Sequence, residues 1–175
     1  MSFFKRLAKA AAPVDDLAGD ANGQRFRAEL AEGRWQGLHD FLEATREWDS
    51  RDFYIARLSD ISGRPGWLNE WAAARPTSSL PFLFRGTQGM HWAWQARGSG
   101  YAKTVQRDAW QVFYARLVEA DRDLAKAAAV DEEDPTPTRG VSGPLTGLAS
   151  GLMRRKGGSL RRRAGIAGMW ARIRT

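Results

Sequence analysis

A chain of 175 residues, 43% of them apolar and eight of them Trp, has enough apolar side chain for one packed domain with extensions. The absence of Cys excludes disulfides, thiolate catalysis and every cysteine-ligated metal centre, and it makes a reducing cytoplasmic compartment the expected one. The net charge of +7 is unevenly divided: through Asp134 there are 18 Lys and Arg against 20 Asp and Glu, and from Pro135 onward nine basic residues and no acidic one, so electrostatic attraction to nucleic acid or anionic lipid must come from the C-terminal region.

Residues 1–13 form the first segment. Phe3, Phe4, Leu7, Ala8 and Ala11 recur at near-helical spacing with Lys5, Arg6 and Lys9 between them, and Pro13 ends the pattern. The charges in MSFFKRLAKAAAPVDD fall where a signal peptide needs unbroken apolar sequence, and no apolar run approaches the roughly 18 to 20 residues of a membrane span.

Residues 14–134 read as a second unit built from helix pairs. After DDLAGDANG, helical patterning covers Gln24–Glu32, breaks at Gly33 and resumes from Arg34 to Glu47, with Trp35, Leu38, Phe41 and Leu42 on one stripe. Asp49 or Ser50 is placed to cap a third helix carrying Phe53, Tyr54, Leu58 and Ile61. SGRPG supplies the turn, and Trp67, Leu68 and Trp71 mark a fourth helix that Arg75-Pro76 stops. Ser79 is placed to cap a fifth, with Leu80, Leu83, Phe84, Thr87, His91 and Trp94 on one side. A sixth runs from Val105 to Ala129, with Trp110, Phe113, Leu117, Ala120 and Leu124 as its core-facing stripe. No segment reads as a strand, so the expected fold is all-α, a short array of antiparallel helix pairs in which each pair buries its apolar face by stacking on its neighbours.

Three stretches, GRWQGLHDFLEATRE, GRPGWLNEWAAARPTSSLPFLFRG and AWQVFYARLVEADRDLAKAAAVDEEDPTP, resemble the degenerate repeats of bacterial tetratricopeptide-like proteins, some of them assigned to a domain family of unknown function. A helix ending in Ala-Ala-Ala, then an acidic turn and Asp134-Pro135, is similar to the join between successive tetratricopeptide repeats. Over about Gln24 to Pro137 the resemblance implies a scaffold that holds a protein or peptide partner.

No catalytic motif emerges. RGSGYAKT at Arg97–Thr104 approaches the phosphate loop G-x-x-x-x-G-K-[ST], but counting back from Lys103 and Thr104 puts the required glycines on Ala102 and Arg97. A phosphate loop also follows a strand, whereas TQGMHWAWQA reads as helix. The stretch is therefore expected to be a turn, with Gly98 and Gly100 ending one helix and Thr104 capping the next. Arg97, Tyr101 and Lys103 beside Trp92 remain candidates for a binding rim, with Arg57 and Arg85 as further polar contacts to a partner. Trp94 is expected on the inward stripe and Trp92 well round the helix from it.

His39 and Glu43 have the i, i+4 spacing of two metal ligands, which are too few for a site, and His91 belongs to an aromatic neighbourhood. DEED at Asp131–Asp134 lacks the alternating ligands and central glycine of a calcium loop. Neither an enzymatic function nor a metal or cofactor is expected.

Residues 135–175 form a Gly/Arg-rich basic tail with three competing accounts. It is a flexible arm in which Arg154, Arg155, Lys156, Arg161, Arg162 and Arg163 neutralise phosphates; or a membrane-facing segment with Ile166, Met169, Trp170 and Ile173 at i, i+3, i+4 and i+7; or out-of-frame translation of a GC-rich gene. The alternative to the scaffold is accordingly a peripheral protein that binds anionic lipid or nucleic acid through the tail and the N-terminal helix.

Overall fold

The computed structural model describes residues 16–17, 19–98 and 106–137. They form six α-helices: α1 Ala21–Ala31, α2 Gln36–Ala44, α3 Trp48–Leu58, α4 Trp67–Ala74, α5 Leu80–Arg97 and α6 Arg107–Val130. No strand occurs among the described residues, in keeping with the all-α expectation. The expected N-terminal helix, the turn residues Tyr101, Lys103 and Thr104, and the tail arginines lie outside them.

The helix boundaries follow from local chemistry. Asp20 starts α1 three residues before the apolar pattern becomes visible, because its Oδ1 accepts the Gly23 N–H at 2.6 Å. Gly33, at φ 78°, turns the chain toward α2. The helix expected to reach Glu47 stops at Ala44, because Thr45 is extended and Glu47 already occupies the N-cap position of α3. Ser50 and Asp49 thus sit inside α3 instead of capping it. Ser50 Oγ donates to Glu47 Oε2 at 2.8 Å, and Asp49 places a carboxylate in the first turn, where the helix dipole favours it. Ile61, expected on α3, falls in the loop beyond it. Ser79 holds the N-cap position of α5, but its side chain makes no capping bond there; the α5 start rests on Pro81 in the first turn.

The core forms around α5. Its first turn is buried on every side, with Leu80, Phe82, Leu83 and Phe84 all nearly inaccessible, as suits a helix surrounded by others. α2, α3, α4 and α6 all pack on α5, while α1 packs on α3 and reaches α2 through the Phe26 and Phe41 rings, 5.0 Å apart. Trp71 of α4 stacks on Trp35 at 5.6 Å and meets Phe84 at 5.3 Å, joining α2, α4 and α5.

α5 and α6 run antiparallel along their lengths: Lys126 lies over Phe82 at one end and Arg97 over Trp110 at the other. Small residues set their separation. A Cβ on Gly86 would stand 2.7 Å from Leu124 Cγ and 3.1 Å from the Ala120 carbonyl oxygen, and one on Gly89 would stand 3.0 Å from Ala120 Cβ. The chain remains packed past α6, where Asp134 and Thr136 are buried and Asp134 faces Arg51 of α3 at 3.7 Å.

Candidate binding surface at the outer end of the α5–α6 hairpin

The hairpin has two halves with different surroundings. Its inner half, Leu80–Phe84 with Leu124 and Ala127, belongs to the main core together with residues of α1 to α4. The outer half has a small core of its own, Ala93, Phe113 and Leu117 with Met90, Trp110 and Tyr114 against them, drawn from α5 and α6 alone. Two helices can cover one face of each other and no more. Their flanks therefore carry apolar surface: Trp94 is 38% and Val112 41% exposed, and Trp92, Trp110 and Tyr114 are half-buried.

Aromatic geometry orders this end. Trp94 meets Phe113 at 5.0 Å and 64°, Trp110 meets Phe113 edge-on at 5.5 Å, and Trp110 stacks with Tyr114 at 5.6 Å. Such pairs each add about 0.5–1.5 kcal/mol beyond the area they bury. Arg97 lies over both Trp94 and Trp110, at 5.1 and 5.2 Å from the ring centroids. On the other flank Arg116 covers Trp92 at 3.8 Å and donates from Nη1 to the Trp92 carbonyl at 2.7 Å. Each flank thus pairs aromatic rings with a guanidinium plane, Trp94 and Trp110 under Arg97 on one side and Trp92 under Arg116 on the other.

A polar belt divides the two halves. Arg85 grips Asp123 with two parallel bonds, Nε to Oδ2 at 2.8 Å and Nη2 to Oδ1 at 2.5 Å, and Arg64 approaches the same carboxylate at 3.4 Å. Arg64 also donates to Gln88 Oε1 at 2.9 Å and the Arg85 carbonyl at 3.1 Å, and its guanidinium stands 5.6 Å from the Trp92 ring. Burial lowers the Arg64 pKa, and Asp123 opposes that shift. Gln88 and Gln95 hold the α3–α4 turn through the Gly63 and Ile61 carbonyls, and Gln95 also accepts the Gly63 N–H. Through these bonds the α3–α4 turn reaches along one side of outer α5 as far as Gln95.

Of the residues singled out from sequence, Trp92 and Arg97 belong to this surface. Arg85 is engaged by Asp123 and by Asn69, and Arg57 is exposed on α3, away from the hairpin. The position of Trp94 differs from expectation. The inward positions of outer α5 are Gly86, Gly89 and Ala93, and with these facing α6 the Trp94 side chain is left on the flank. His39 lies in the core, 4% exposed, and its Nδ1 accepts the Trp71 Nε1–H at 3.3 Å, so the i, i+4 pair with Glu43 holds no ligand position on that nitrogen. His91 is half-buried, 3.7 Å from Asp60. Among the described residues no group of three His, Cys, Asp or Glu is arranged to hold a metal, and no helix is long and apolar enough to cross a membrane.

Trp110, Tyr114, Val112 and Arg116 were not legible as surface residues. The available signal was the Gly86, Gly89 and Ala93 spacing, which marks where α6 comes close and so which side chains must turn outward. Comparison of the chain with family models, curated proteins and solved structures gives no match.

Proposed function

We propose that this chain is a non-enzymatic helical scaffold that holds a protein or peptide partner on the outer end of the α5–α6 hairpin. One observation carries the reading: a two-helix segment presents exposed Trp94 with half-covered Trp110 and Tyr114 on one flank and exposed Val112 with half-covered Trp92 on the other, and α1 to α4 add nothing to its core. Aromatic rings and arginines of this kind supply the buried anchors of protein interfaces. The tetratricopeptide-like pattern of the sequence supports the same class of function, helix pairs presenting a surface to a partner. Cytoplasm is the compartment that fits the absence of Cys.

The test is recovery of the partner with the full chain and with the Trp94→Ser, Val112→Glu double variant. Recovery should fall at least about tenfold, the equivalent of 1.4 kcal/mol, while far-UV circular dichroism stays unchanged. Equal recovery by both chains would remove the hairpin end from the interface.

A further inference from the structure

Past α6 the chain is fastened to the body by a buried ion pair. α6 ends at Val130, and the residues that follow, DEEDPTP, cross to α3, where Asp134 meets Arg51. Asp134, Thr136 and Pro137 are buried, yet the last residue of the hydrophobic core in chain order is Ala127. The Arg51 guanidinium lies over the Trp48 ring at 4.8 Å; its side chain is 10% exposed, and that of Asp134 is fully buried. Two charges have therefore been taken out of water at this contact.

They are not well compensated. Arg51 Nη2 stands 3.7 Å from Asp134 Oδ2, beyond hydrogen-bond reach. Arg51 Nε, Asp134 Oδ2 and Thr136 Oγ1 are all buried, and none makes a hydrogen bond. Asp134 Oδ1, by contrast, accepts the Thr136 N–H at 2.8 Å. Two desolvated charges and three unbonded polar atoms weigh against the closed arrangement, because water would satisfy all of them once the segment lifted away. The helices would keep their own core. Opening here therefore requires less free energy than unfolding the body.

We propose that residues 131–137 form a strap that opens from α3 as a unit while the six helices stay folded, with the Arg51–Asp134 pair as its fastening. Closed, the strap fixes the place beside α3 from which the chain continues beyond Pro137. Open, it moves that exit back to the end of α6 and exposes Arg51 and Asp134 to water. A ligand that prefers the open strap shifts the balance by that preference and no more. The strap leaves from the inner end of the hairpin, where Lys126 lies over Phe82, so its opening is independent of the proposed partner site at the outer end.

Hydrogen exchange on the full chain reads the strap from both sides, through the Thr136 amide N–H and the Arg51 Nε–H. Opening as a unit predicts equal protection at the two, at least about tenfold below that of the Phe84 and Leu124 amides. Asp134→Asn keeps an acceptor for Thr136 but leaves the guanidinium buried without its counter-charge. It should lower both protections at least about tenfold further and leave Phe84 and Leu124 unchanged. Arg51→Met should do the same at Thr136, while the double variant, which buries neither charge, should lose less than the two single losses combined. Unequal protection at the two sites, strap protection equal to that of the core, a loss from Asp134→Asn that the core shares, or full additivity in the double variant would each overturn the proposal.

Discussion

His39 shows how one buried side chain acquires a definite chemical state. Trp71 donates its indole N–H to Nδ1, so that nitrogen is unprotonated and the ring is neutral with its proton on Nε2. Burial is the main cause of a pKa below the ordinary histidine value, with the nearby Glu43 carboxylate pulling the other way. A base depressed in the folded state binds fewer protons folded than unfolded, so its contribution to stability is complete above about pH 6.5 and is lost as pH falls from there through the depressed folded value. His39→Asn keeps an acceptor toward Trp71 and cannot titrate there. Its unfolding midpoint should lie below that of the parent at neutral pH and should vary less between about pH 7 and pH 5. Profiles that decline in parallel would show that His39 titrates alike in both states. The sequence gives His39 at an i, i+4 spacing from Glu43; the indole that claims its nitrogen is 32 residues away and comes near only because α2 and α4 both pack on α5.

At the scale of the element, α5 explains both what was legible in the sequence and what was not. All six helices are visible as apolar periodicities between turn residues, and the starts of α1 and α3 lie where Asp20 and Glu47 take the N-cap positions. The inward face of outer α5 was less legible, because Gly86, Gly89 and Ala93 contribute little hydropathy yet lie at the closest approach to α6. A stripe read from large residues therefore put Trp94 inside. On α6, where the large residues do face inward, Phe113, Leu117, Ala120 and Leu124 are buried as their spacing implies. Leu117 is 3% exposed in the outer core, which has few other members to fill a void. Leu117→Ala should cost about 2–5 kcal/mol, read from the denaturant midpoint at unchanged slope. An unchanged midpoint would place Leu117 outside any core.

For the whole molecule, the division of charge separates two kinds of binding. The chain through Asp134 has two more acidic than basic residues, and the nine basic residues beyond it have no acidic neighbour in sequence. The packed chain continues to Pro137, so truncation belongs after that residue and not at the change of composition. Truncation there should leave helical content and partner recovery intact. Any attraction of the full chain to anionic vesicles or DNA should disappear with the tail, and in the full chain it should weaken as salt rises. Loss of helical content and partner together would make residues beyond Pro137 an integral part of the fold.

The central claim is that the outer α5–α6 hairpin is where a partner sits, and site-specific photocrosslinking tests it most directly. A benzophenone amino acid replaces Val112 on the hairpin in one chain and Ala73 on the exposed side of α4 in another, and both are irradiated in extract of the cells that make the protein. The account predicts one discrete adduct from position 112, absent from position 73 and lost when Trp92→Ser is added on the same flank. Adducts that are the same from both positions, or that persist with Trp92→Ser, would contradict it.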